Sequence, residues 1–128
     1  MKILGNIHNK IRAHYAQKVI KIDKALPVAE KEFLKKNIIP LAKFAKGENM
    51  KLIFSKGKDL FENQTVMKVR KQESYLSKVE DNQYIIHWIW RNIGETFIDL
   101  TNTQNKTSIV DELINAVKLI KSNFYKKI

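Results

Sequence analysis

The sequence predicts an α+β fold: two N-terminal helices, an antiparallel meander of three to four strands, and a C-terminal helix. Three observations carry this. Apolar residues recur at every third or fourth position on both flanks of the chain, as one face of a helix requires. From Lys51 to Leu100 the pattern switches to short runs rich in β-branched and aromatic residues, which favour strands. These runs stand together between the helices instead of alternating with them, which argues against a wound parallel sheet.

In chain order, Ile3, Ile7, Ile11, Tyr15, Val19 and Ile22 lie on one face of a first helix. Pro27 punctuates and suits a first helical position, so a second helix is expected from Pro27 to Lys46. Its apolar positions are Val28, Phe33, Leu34, Ile38, Leu41, Ala42 and Ala45, and Pro40 is expected to kink it near Ile39. Gly47 reads as its stop, with Lys43 and Lys46 well placed for the helix dipole. Lys51–Ser55 reads as a strand. Thr65–Gln72 alternates, with Met67 and Val69 directed one way and Lys68 and Arg70 the other; Tyr75–Val79 continues it. Glu80 to Gln83 reads as a hairpin turn, since Asp and Asn tolerate turn geometry. Tyr84–Arg91 is a strand, Asn92 to Glu95 a further turn around Gly94, and Phe97–Leu100 a last strand. After a polar stretch, Ser108 suits an N-cap, and Val110, Leu113, Ile114, Val117, Ile120 and Phe124 form one helical stripe.

With 128 residues, one domain spanning 1–128 is expected. Lys and Arg number 24 against 13 Asp and Glu, a net charge of +11, and no acidic residue precedes Asp23. Such an excess attracts polyanions: nucleic acid, an acidic protein or an anionic membrane surface. Of the basic residues 21 are Lys; the three Arg are Arg12, Arg70 and Arg91. There is no Cys, which excludes disulfides, thiolate metal sites and a Cys nucleophile. No apolar run is long enough for a membrane span or a signal peptide, so a cytoplasmic location is expected.

The motifs of metalloproteases, phosphate-binding loops, dinucleotide folds and serine hydrolases are missing, and His8 and His14 stand six apart, a spacing that does not pair ligands on a helix face. No metal and no cofactor is expected. His87 is the histidine with chemistry around it. Closure of the hairpin brings Glu73, Arg70 and Lys71 to the neighbouring strand, and Arg91 shares its parity. A base, a carboxylate and cations are the groups that metal-free RNA cleavage uses, so His87 and Glu73 are the candidate catalytic residues. The favoured alternative is a half-buried structural histidine. Trp88 and Trp90 share a parity with Tyr84. They suit a stacking platform for bases, with Lys68, Arg70, Lys71 and Arg91 as phosphate contacts. Packing in a core is the favoured reading for aromatics of a central strand.

The first functional reading is therefore a small basic nucleic-acid-binding protein, RNA-directed or sequence-tolerant, of a bacterial or phage accessory type. The aromatic pattern of an RNA-recognition motif and the helix-turn-helix pattern are both missing, and Arg is scarce for reading guanine. The second is a metal-free ribonuclease or toxin. The third is an interaction protein that docks on an acidic partner or an anionic membrane through its basic N-terminal helix. Two helices leading into a basic antiparallel sheet resemble, in layout over residues 6 to 100, the RelE-like toxin ribonucleases. The long C-terminal helix is extra to the minimal form of that fold, and none of its active-site motifs is matched residue by residue, so the resemblance implies layout alone. Oligomeric state is left open by the sequence.

Overall fold

The computed structural model describes residues 16, 18–61, 63–100 and 106–126. Four strands form one mixed sheet in the order β1-β2-β3-β4: β1 Ile20–Ile22, β2 Met50–Lys56, β3 Thr65–Glu80 and β4 Gln83–Ile98. Three helices are described in full: α1 Val28–Lys36, α2 Ile38–Gly47 and α3 Lys106–Lys126. Strands β2, β3 and β4 make the antiparallel meander that the sequence predicts. To it the structure adds β1, which runs parallel to β2 with Ile20 opposite Leu52. A parallel neighbour needs a long crossover, and α1 and α2 supply it. None of the described helices is long and apolar enough to cross a membrane.

Several expected boundaries move, each for a local reason. Ala16, Lys18 and Val19 are helical, but Ile22 belongs to β1, so the helical spacing of the first stripe ends one residue before a strand. Val19 is buried, whereas Ile3, Ile7, Ile11 and Tyr15 lie outside the described residues. The second expected helix is two helices. Pro40 has no N–H for the carbonyl of Lys36 and its ring crowds that carbonyl, so α1 ends at Lys36 and Pro40 falls in the first turn of α2. The break sits at Asn37, whose Nδ2 donates to the Phe33 carbonyl at 2.9 Å. Gly47 is the last residue of α2; the left-handed turn after it is made by Asn49, at φ 55°. Helix α3 begins at Lys106, two residues before the expected cap.

The core lies between α2, α3 and one face of the sheet. Met50, Leu52 and Phe54 of β2 and Met67 and Val69 of β3 are sealed, with Leu34, Leu41, Ala45, Leu113 and Val117 against them. Glu30 in the first turn of α1 is buried and accepts a 2.5 Å hydrogen bond from the Thr65 hydroxyl. The expected turn at Asn92 to Glu95 does not exist. Strand β4 runs through it, and the register slips there: Arg70 faces Asn92 but Val69 faces Gly94. Ile93 is the extra residue of this bulge and turns into the core. Gly94 is where α3 crosses the sheet; a Cβ there would lie 2.6 Å from Ile120 Cγ2.

Strand length decides the shape. Strand β2 has 7 residues and β3 and β4 have 16 each. Pairing of β2 ends at Met50 opposite Lys71. Beyond it, residues 72–80 and 83–90 form ladder pairs only with each other, with the Gln72 N–H still donating to the Asn49 carbonyl at 2.8 Å. They form a two-stranded arm about 30 Å long, at roughly 3.3 Å per residue, closed by Asp81 and by Asn82 at φ 63°.

Candidate nucleic-acid interface

Side chains alternate across the sheet, so the register sorts every candidate residue onto one of two faces. The residues between the core positions point away from α2 and α3. They are Lys21 on β1, Lys51 and Ile53 on β2, and Lys68 and Arg70 on β3, with Lys51 opposite Arg70 and Ile53 opposite both Lys21 and Lys68. Arg70 Nε donates to Asn92 Oδ1 at 2.9 Å, which fixes its guanidinium along the strand. The same face continues onto the arm through Gln72 opposite Trp90, Ser74 opposite Trp88, Leu76 opposite Ile86 and Lys78 opposite Tyr84.

At the junction of body and arm this face holds a cleft of about 490 Å³. Lys18, Lys21, Lys46 and Lys51 line it, with Gln72 and the Trp90 ring, and no carboxylate is among its described lining residues. Lys51 Nζ stands 4.4 Å from the centre of the Trp90 ring, a cation–π contact. Lysines gathered along one cleft raise the local positive potential, and an anion there relieves it. An aromatic wall beside lysines is the combination that holds a base by its π-face and its phosphate by charge.

The opposite face of the arm carries different chemistry. It presents Lys71, Glu73, Tyr75, Ser77, Ile85, His87, Ile89 and Arg91. His87 is half-buried, stacked on Tyr75 at 4.7 Å and 10°, and its Nε2 is 2.6 Å from Ser77 Oγ. Glu73 pairs with Arg91 at 3.4 Å, and the Arg91 guanidinium lies 5.0 Å over the Phe124 ring of α3. Lys71 Nζ donates to the Glu48 carbonyl at 3.1 Å. Among the described residues, no group of three or more His, Asp or Glu converges on a position suited to a metal ion.

The predicted site residues therefore separate. Lys68, Arg70 and Trp88 share the outer face; His87, Glu73, Lys71 and Arg91 share the other. The core reading of the tryptophans is corrected: Trp88 is 64% exposed, because it lies on the outer face, which no described helix covers, of a strand that has left the body of the sheet. His87 is half-buried with its ring hydrogen-bonded to Ser77, the arrangement of the favoured structural alternative. Sequence reading passed over the cleft. Its visible signal was the parity of Lys51 opposite Arg70; the approach of Lys18 and Lys46 depends on the parallel placement of β1, which no local pattern carries.

No protein-family model matches the chain, no curated protein matches it, and no solved structure matches its fold.

Proposed function

We propose that this is a small basic nucleic-acid-binding protein that takes single-stranded or flexible substrates with little sequence preference. The observation that carries the reading is the cleft lined by Lys18, Lys21 and Lys51, with Lys51 held over the Trp90 ring. Lys68 and Arg70 extend this positive surface along the outer face of the sheet. Phosphate contacts from lysine supply affinity without reading bases, and stacking on an aromatic ring accepts any base.

The test is binding of single-stranded RNA and DNA across a salt series. Affinity is expected to fall steeply with salt, with several phosphates neutralised. Lys68→Glu/Arg70→Glu is expected to weaken binding uniformly across sequences and to flatten the salt slope. No retention on nucleic acid at low salt would refute the reading. The same mixtures in EDTA address the ribonuclease alternative, which His87, Glu73 and Arg91 favour by sharing one face. Cleavage of RNA but not DNA, lost in His87→Ala, would support it.

A further inference from the structure

We propose that the arm is a self-association surface: the arms of two copies of this chain pack together through the face carrying Leu76, Tyr84, Ile86 and Trp88, with each acidic tip laid against the lysine-rich base of the other arm.

The first argument is exposed area. Five large apolar side chains share this face of the arm, Leu76, Tyr84, Ile86, Trp88 and Trp90, and they are between 37% and 64% exposed. At about 150–250 Å² for a large aromatic and somewhat less for an aliphatic side chain, they leave on the order of 500 Å² open to water on one face. That matches the largest apolar patch of an ordinary monomer, about 300–600 Å² and often functional, and it is about the apolar share of a standard interface of about 800 Å² per partner. A two-stranded ribbon is also marginal in water without something packed on it.

The second argument is charge. Residues 72–90 hold one basic residue, Lys78, against Glu73, Glu80 and Asp81, a net −2; the other residues hold 23 basic and 10 acidic, a net +13. The acidic tip repels a phosphate backbone, and insertion of the tip into a lipid surface would bury Glu80 and Asp81. Lys78 stands 3.7 Å from Asp81 in an exposed pair, and the body of a second copy has the sign required by the negative charge that remains. A two-fold pair, the commonest symmetry, makes the same patch serve on both sides. Two arms laid antiparallel bring each tip to the other's base, where Lys18, Lys21 and Lys51 stand.

The choice of face follows from what is already satisfied. The opposite face has internal partners in Glu73–Arg91 and Ser77–His87. The proposed face pairs Leu76 with Ile86 and sets Tyr84 and Trp88 beside them, with Lys78 and Ser74 as their cross-strand neighbours.

The inference goes beyond the proposed function, so its test uses the full chain freed of nucleic acid. Sedimentation velocity over about 1–100 μM is expected to show a dimer at the upper end, the range in which a modest interface dissociates. Trp88 and Trp90 are the two tryptophans of the chain and both lie on this face, so their emission is expected to shift to the blue as the dimer forms. Leu76→Thr/Ile86→Thr is expected to weaken association by on the order of 100-fold with an unchanged thermal melt of the dilute, monomeric chain, because both side chains are exposed in the single chain. Glu80→Lys/Asp81→Lys and added salt are expected to weaken it as well. A monomer at every concentration, or a dimer indifferent to Leu76→Thr/Ile86→Thr, overturns the proposal. A dimer that tightens with salt overturns the placement of the tips.

Discussion

Val69 and Ile85 belong to one hairpin, on strands of equal length and on the same face of the ladder, yet Val69 is fully buried and Ile85 is 51% exposed. Both are β-branched and both are paired across the antiparallel ladder, Val69 beside the bulge at Ile93. What separates them is the neighbouring strand. Strand β2 flanks β3 as far as Lys71 and then stops, and α3 meets β4 around Gly94. Inside that limit the hairpin is the floor of a core; outside it the same ladder stands alone. Burial here is a property of what lies alongside the strand, not of its composition.

The contrast gives a direct test. Val69→Asp is expected to cost at least about 4 kcal/mol, by lost burial and an unpaired buried charge. Ile85→Asp, on the same face but out on the arm, is expected to cost less than about 1 kcal/mol. Urea denaturation of the dilute chain measures both, and equal losses would break the distinction between body and arm. A smaller effect marks the frontier. Gly94→Val is expected to cost about 1–3 kcal/mol, because its side chain must displace the Ile120 methyl group of α3. An unchanged midpoint would mean that α3 shifts freely over β4.

The smallest effect concerns the clamp at the end of the body. Glu48 Oε2 accepts a 2.8 Å bond from Lys121 Nζ, joining the end of α2 to α3. That hydrogen bond, against partial burial and with help from the charges of Lys121, Lys71 and Lys118, holds the Glu48 carboxyl below the ordinary glutamate value. A lowered folded pKa means that the stabilisation is present above the unfolded value and lost as the pH falls from about 4.5 through the folded value. With both side chains more than a third exposed, solvent screening limits it to about 0.2–1 kcal/mol. Lys121→Met is expected to remove this acid dependence and to leave the melting of the arm's ladder untouched, as followed by the near-ultraviolet signal of Trp88 and Trp90.

The sequence made the elements legible where the signal was local. The strand from Tyr84 to Arg91, the turn at Asp81 and Asn82, and the stripe of Leu113 and Val117 all follow from periodicity and turn chemistry. It misled where two patterns overlapped or where the answer lay in a neighbour. Ile22 fits a helical stripe and a strand equally well. Gly94, read as a turn, is a glycine required by the passage of a helix. Trp88 looked like core because a strand apolar on both faces is usually central; it lies instead on the outer face, which no described helix covers. Of the candidate site, the parity of Lys68 and Arg70 was readable, and the meeting of Lys18 and Lys21 with Trp90 in one cleft was not, since it is tertiary.

The parallel pairing of β1 also sets an order of assembly. Glu80 and Gln83 are three residues apart, so the hairpin zips from its tip through progressively longer loops. Ile20 and Leu52 are 32 apart, and their pairing must enclose both α1 and α2. Loop closure of that size is the slower event. On a ribosome the order of synthesis is the reverse: β1 emerges first and has nothing to join until β2 follows. The earliest of the described strands therefore waits for β2, and the core is complete only after α3, the last of the described elements to be made, has packed on it.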